Sequence, residues 1–502
     1  MRGFALAHRY LTLIHRYVGM VIGIVMAMWC LSGVVMMYVG YPDLSEPERL
    51  HALPPLNPAR CCVLPDSALA DNSRVGSFQV EMLGTRPVLR LRTSGGRASV
   101  VDLSNGQEIS SVPSSEARLV AQGFGGAPEL RRSLSYDQWT VAEIPESERP
   151  LYQFALNDSA KTLVYVSTVS GRAVRVTTAR QRFWNWLGAV PHWLYFAELR
   201  RNGALWNQVV VYASTVGCFL ALVGIYLGIY AFIRTPGRRW SAYRGWLHWH
   251  HLPGLIFGVL VLTWVLSGLL SMNPWGLLEG SGARAEQARL QGEPVTGAQV
   301  KKALSALTGL LNTGEVVSLR SAPLGGKLYL VATTALGSRI RLDAYGVASP
   351  VAADELTQAA QSLNASSPPE LITSEDNYYF THHTEIAALP AYRLVLDDQE
   401  RTRYYLDAVS AQLAKKVDGN SRGYRWLHEG LHRMDFTPTL RRRPLWDTVM
   451  LVLLTGVTAV TITGTWLGIR RMLPRRRRDP ATSAPARPET HPSAEHADGS
   501  TR

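Results

Sequence analysis

Four stretches of this chain, residues 17–39, 205–233, 252–272 and 445–469, are each about 20 residues or longer and almost free of charge. Segments of that length match the roughly 30 Å of hydrocarbon in a bilayer, whereas buried helices of water-soluble domains rarely run so far without a charged residue. Four membrane spans are therefore expected. The first is longer than the apolar core of a secretory signal, and no small-residue cleavage site follows Gly40-Tyr41-Pro42, so it is expected to stay as an anchor.

The formal charge of +13 could suggest nucleic acid, but its placement argues otherwise. Arg2 and Arg9 precede the first span, Arg234, Arg238, Arg239 and Arg244 lie between the second and third, and Arg470, Arg471 and Arg475 to Arg478 follow the fourth. Short basic flanks stay on the cytoplasmic side. Both termini are then cytoplasmic, the two long loops face outward, and the partner is a lipid bilayer and not a nucleic acid. The expected order is residues 1–41 (N-terminus and first span), 42–182 (first outer domain), 183–234 (interfacial helix and second span) and 235–244 (cytoplasmic loop). It continues with 245–274 (third span), 275–422 (second outer domain), 423–473 (interfacial helix and fourth span) and 474–502, a disordered tail rich in Arg, Pro and Ser. The outer domains read as α+β: alternating runs such as Val88-Leu89-Arg90-Leu91-Arg92 and Lys327-Leu328-Tyr329-Leu330-Val331 suit strands, and residues 298–311 suit a helix.

The chain repeats itself. His15, Gly19, Gly23, Trp29, Ser32 and Gly33 recur as His250, Gly254, Gly258, Trp264, Ser267 and Gly268 at a constant offset of 235. His192, Phe196, Leu205-Trp206, Gly224 and Leu227-Gly228-Ile229 recur as His432, Phe436, Leu445-Trp446, Gly464 and Leu467-Gly468-Ile469 at an offset of 240. The expected fold is two tandem, pseudo-symmetric helix–domain–helix halves about an axis along the membrane normal. The glycines four apart fit either a close helix contact or room for a flat cofactor.

Histidine is costly inside a bilayer, and at span ends it marks a functional hypothesis. His15 and His250 open the first and third spans at one depth. His192 and His432 precede the second and fourth spans at the other. Two facing imidazoles can hold a six-coordinate b-type haem in a bundle core. His251 competes with His250, and His428 with His432, so the choice within each neighbourhood stays open. No C-x-x-C-H is present for covalent haem attachment. Cys61 and Cys62 are adjacent and could bond to each other or to a partner, while Cys30 and Cys218 fall within spans.

His15-Arg16-Tyr17-Val18-Gly19, Trp249-His250-His251-Leu252-Pro253-Gly254 and Arg425-Trp426-Leu427-His428-Glu429-Gly430-Leu431-His432 resemble the PepSY-associated transmembrane family, as do Asp376-Asn377-Tyr378-Tyr379 and Arg403-Tyr404-Tyr405-Leu406-Asp407. The resemblance implies PepSY-like domains outside and two b haems between four helices of a bacterial inner-membrane protein. It also implies reduction of a periplasmic ferric siderophore, with His15 paired to His250 and His192 to His432. A quinol or a cytoplasmic reductase would supply the electron, since no nucleotide-binding fingerprint occurs. Tyr378, Tyr379, His382 and His383 form a candidate substrate surface. Two other classes compete: a haem-free PepSY membrane protein that regulates or binds a periplasmic partner, and a zinc peptidase built on His428-Glu429-x-x-His432.

Overall fold

The computed structural model describes residues 2–57, 61–235, 237, 239–310, 315–365, 368–381 and 387–472. The expected tail at 474–502, Arg238, and His382 and His383 lie outside the described residues.

Four helices, Arg2–Met36, Gly203–Ile233, Trp246–Ser271 and Leu445–Met472, are long and apolar enough to cross a membrane. The first and third begin earlier than the apolar blocks suggest, because their polar first turns continue the helix toward the interface. The first span packs on the fourth, the fourth on the third, the third on the second, and the second on the first. The result is a closed four-helix ring. Its interior is filled by Met26, Leu220, Val261, Trp264, Met450, Leu454 and Val457, apolar side chains that interdigitate as bundle cores do.

The loops are mixed α+β. In chain order the strands are β1 (Arg74–Leu83), β2 (Arg86–Thr93), β3 (Ala98–Asp102), β4 (Glu129–Leu134), β5 (Leu151–Ala155), β6 (Leu163–Ser167) and β7 (Ala173–Thr177) in the first loop. The second loop holds β8 (Val295–Thr296), β9 (Val316–Ser321), β10 (Tyr329–Thr334), β11 (Arg339–Asp343), β12 (Glu370–Ile372), β13 (Ala391–Val395), β14 (Arg403–Asp407) and β15 (Leu413–Val417). β4 to β7 form one antiparallel sheet in sequential order, and β12 to β15 form another. β5, β6 and β7 begin at Leu151, Leu163 and Ala173, and β13, β14 and β15 at Ala391, Arg403 and Leu413. Each of these starts is displaced by the same interval that separates His192 from His432.

The remaining strands join across the two loops. One sheet runs β11-β10-β9-β1-β2-β3, with β8 also paired to β1. The seam is antiparallel, with Gln79 opposite Arg320, Val80 opposite Leu319 and Glu81 opposite Ser318. Polar side chains brace it: Gln79 Nε2 donates to Ser318 Oγ at 2.9 Å and to Glu81 Oε1 at 2.6 Å. Beneath lies a shared core of Phe78, Val80, Leu89, Val300, Leu304, Leu319 and Leu330. Cys61 and Cys62 are bonded to each other.

Each of the two four-stranded sheets hands its last strand to a short helix that enters the bundle. β7 is followed by helix Ala179–Leu187, whose Thr178 and Gln181 form a capping box that satisfies the first orphan N–H groups. β15 is followed by helix Gly419–Tyr424, capped by Asp418, and then by a π-helical turn, Arg425–Gly430. These segments carry the histidines nearest the loop domains.

Candidate functional site: two histidine layers in the bundle

His15 stands three turns into the first span and His250 one turn into the third, on the side of the chain termini. Their ring centres are 6.3 Å apart. His192 ends the short helix Ala189–His192, and His432 lies in the short helix Leu431–Arg433. Their ring centres are 6.2 Å apart at the other end of the bundle. The structure thus brings together both sequence-matched pairs.

A shared pattern of hydrogen bonds orients the rings. His192 Nδ1–H donates to Trp29 O at 3.0 Å, with Ser32 Oγ at 3.2 Å. His432 Nδ1–H donates to Trp264 O at 3.2 Å, with Ser267 Oγ at 3.0 Å. His250 Nδ1–H donates to Val460 O at 3.1 Å, with Thr463 Oγ1 at 3.3 Å. His15 lies near the corresponding backbone position, Leu220, but its Nδ1 has no hydrogen-bond partner among the described residues. A carbonyl can only accept, so Nδ1 carries the proton in the bonded rings and Nε2 keeps the lone pair. This is how a ligating imidazole is normally held by its outer shell. Ser32 and Ser267 were visible only as repeat-matched letters; their contact with the rings is new.

Glycines stand beside all four rings. A Cβ on Gly224 would come within 2.7 Å of His15 Cε1, and one on Gly464 within 2.8 Å of His250 Cε1. A Cβ on Gly33 or Gly268 would meet His192 Cε1 or His432 Cε1 in ordinary contact, at 3.5 and 3.7 Å. The glycines four apart divide between the two roles open to them. Gly23 and Gly258 are packing sites, where a Cβ would meet Thr465 Oγ1 at 2.6 Å and Ile225 Cγ1 at 3.2 Å. Gly254 meets nothing within 4 Å and Gly19 only Leu220, at 3.8 Å. All four line a cavity of about 340 Å³ that also contains His15, His250, Gly224 and Gly464.

The alternates separate clearly at one end. His251 has both nitrogens engaged, Nδ1 with Ser241 Oγ at 2.9 Å and Nε2 with Gly228 O at 3.0 Å. It staples the segment before the third span to the second span and is no alternative to His250. His428 stacks on His432 at 5.2 Å and bonds through Nδ1 to Ser267 O at 3.2 Å, so it belongs to the layer of His432.

The turn carrying His428 and His432 is fixed from the domain side. Arg425 donates to Asp435 O at 2.7 Å and faces Glu429 at 3.4 Å, while Arg441 Nε donates to Asp435 Oδ1 at 2.7 Å. Burial raises the Glu429 carboxyl above its ordinary value, against the pull of Arg433 and Arg425. Trp446 Nε1 donates to Arg433 O at 2.7 Å, as Trp206 Nε1 does to Trp193 O at 2.8 Å. Each span entry is thereby tied to its histidine segment. Among the described residues no group of three His, Cys, Asp or Glu side chains converges as a metal site would require, which gives the His428–Glu429–His432 zinc reading no third ligand.

One residue of the candidate substrate surface, Tyr379, does not lie at the surface. Tyr379 is 6% exposed, stacks on Tyr405 at 4.7 Å and donates its hydroxyl to Ala388 O at 3.1 Å. It is a core residue of the β12–β15 domain. Tyr378 is half-buried between Trp426 and the Arg403 guanidinium. Asp376 organises this corner: it accepts from the Tyr378 and Tyr379 N–H groups, Tyr405 Oη and Arg393. Burial opposes its charge, but these donors outweigh that and hold its carboxyl below the usual range. Asp137 plays the same part in the first loop, accepting from Tyr165 Oη at 2.7 Å and Gln153 Nε2 at 3.1 Å.

Four apolar spans in a ring, with α+β domains carried on the two long loops, define a multi-pass membrane protein. The model of the PepSY-associated TM region matches residues 12–363, and the chain belongs to that family. A comparison with curated proteins gave no match.

Proposed function

We propose that this protein is a di-haem b electron carrier that reduces a ferric siderophore on the domain side of a bacterial inner membrane. The observation that carries this reading is the spacing of the rings. Two imidazoles that held one iron between them through bonds of about 2.0 Å would have ring centres roughly 6 Å apart. Both pairs stand at that separation, 6.3 and 6.2 Å. Bound haem would supply one-electron Fe(III)/Fe(II) chemistry at each layer.

The chain's own residues fit that group. Each ligand pair draws one histidine from each half, in keeping with a tandem duplication. The glycines leave flat space beside the inner rings, and the carbonyls of Trp29, Trp264 and Val460 present Nε2 for ligation. Trp29 Nε1 and Trp264 Nε1, another matched pair, are buried donors without an acceptor among the described residues; buried donors of this kind ordinarily have partners. His15 and Trp29, like His250 and Trp264, are 14 helical steps apart, or about 21 Å of rise. The two layers are therefore stacked across the bilayer within one bundle.

The basic flanks support cytoplasmic termini and a periplasmic position for the loop domains. An electron entering from a quinol or a cytoplasmic reductase near the His15–His250 layer would leave from the His192–His432 layer. One electron converts siderophore-bound Fe(III) to Fe(II), which an oxygen-rich chelator holds more weakly. The test is a reduced-minus-oxidised spectrum of the purified, haem-supplied protein, followed by anaerobic mixing of the reduced form with a ferric siderophore. Paired α and Soret bands that bleach on mixing support the reading. A colourless protein rejects it and leaves the haem-free regulatory class.

A further inference from the structure

A second cavity, of about 390 Å³, lies within the first loop domain, away from the bundle. Its walls include Leu53, Pro54, Met82, Leu119 and Phe124, together with Arg49, Arg90 and Arg172 and one carboxylate, Glu81. The arginines are not equivalent. Arg49 is held by Glu46 at 2.7 and 2.9 Å and by Glu81 at 2.8 Å. Arg90 donates to Glu81 at 3.1 Å and to Ser170 O at 3.0 Å. Among the described residues, the Arg172 guanidinium has no hydrogen bond or ion pair; Glu46, Glu81 and Glu148 act on it only at longer range.

We propose that this cavity binds a small monocarboxylate with an apolar body, clamped by Arg172. A half-buried cation without a partner is costly, and a planar guanidinium meets a carboxylate through two parallel hydrogen bonds. The apolar walls exclude water from that pair, and the volume suits a body of about ten heavy atoms. The related position in the second loop behaves differently. An offset of 240 places Gln412 there, and its side-chain amide is satisfied by Pro323 O at 3.0 Å and Gln287 Nε2 at 2.6 Å. That counterpart is a closed, neutral contact with helix Arg284–Gln291, where the first loop has an open cationic cavity.

The site is separate from the histidine layers. Arg172 precedes β7, whose far end leads into the bundle, and five strand residues span about 17 Å. The cavity therefore serves recognition or regulation and not electron delivery, and its test does not depend on haem. The full-length protein in nanodiscs is titrated with 3-phenylpropionate and with its neutral amide, with binding followed calorimetrically. The carboxylate binds, the amide binds at least 10-fold more weakly, and Arg172→Gln lowers carboxylate affinity at least 10-fold without altering far-UV circular dichroism. Should Arg172→Gln fail to fold, Leu119→Trp, which fills the cavity from a partly exposed position, abolishes binding instead. Equal binding of acid and amide, no binding at millimolar acid, or full binding by the folded variants overturns the proposal.

Discussion

Gly464 stands so close to His250 that a Cβ at that position would come within 2.8 Å of the imidazole Cε1. The fourth span thus supplies the empty side of the ring as well as the Val460 carbonyl that orients it. Replacing Gly464 by Leu must push the ring aside. If the inner pair holds haem, the purified variant carries about one haem where the parent carries two, by pyridine haemochrome assay, while the outer pair keeps its spectrum.

The neighbouring histidines give a sharper contrast. If the inner pair holds haem, His250→Ala is expected to lose it, whereas His251→Ala keeps the full haem content, because His251 already bonds through both nitrogens. Haem content and dithionite-reduced spectra of the two variants check this. Equal loss in both would break the assignment.

Ser32→Ala and Ser267→Ala remove a hydroxyl from the outer rings but leave the Trp29 and Trp264 carbonyls in place. Loss of an outer-shell partner typically costs 10- to 100-fold in affinity; with the carbonyls retained, about 10-fold is expected for each. If the outer pair holds haem, the midpoint potential of that haem should rise, since a less polarised Nδ1–H makes a weaker electron donor of the ring. Haem transfer to apomyoglobin and a redox titration measure the two effects.

Acid should loosen the start of the fourth-span segment. Burial disfavours the charged form of Asp418, but hydrogen bonds from Ser421 and Ser281 outweigh it and hold its pKa down to about 2. A depressed carboxylate contributes stability that is complete above its unfolded value, near 4, and is lost as pH falls through about 2. Asp418→Ala should cost about 1 kcal/mol at neutral pH through the lost helix cap and flatten the acid limb between pH 4 and 2. Thermal melts across that range report both.

Tyr379→Ala separates core from substrate surface. Removing a buried, stacked ring costs about 3–5 kcal/mol; the exposed position that a substrate contact requires would cost well under 1 kcal/mol. Chemical denaturation of the variant decides between the two.

The spans were legible because hydropathy needs no partner to be read, and the histidine pairs because repetition reports depth as well as identity. Rotation about a helix axis is harder to read. His250 and His251 are about 100° apart on a helix, and only packing shows which one faces the bundle interior. Tyr379 looked like surface because a Tyr-Tyr doublet beside charged residues carries no burial signal; its stacking on Tyr405 depends on β14, two strands further along the chain. The roles of Ser32 and Ser267 needed the approach of His192 and His432, each separated from its serine by a whole loop domain. The β1–β9 seam was the least legible element, since edge pairing between strands of different loops leaves no local pattern.

That seam sets an order on biogenesis. β1 leaves the membrane early, yet the strand it rests against is made only after the chain has crossed the bilayer twice more. Until then one side of β1 presents unpaired N–H and C=O groups, the condition that invites association with foreign strands. The first domain is therefore completed by the second, and a chain interrupted after its second crossing would be left with an open flank that only its missing half can close.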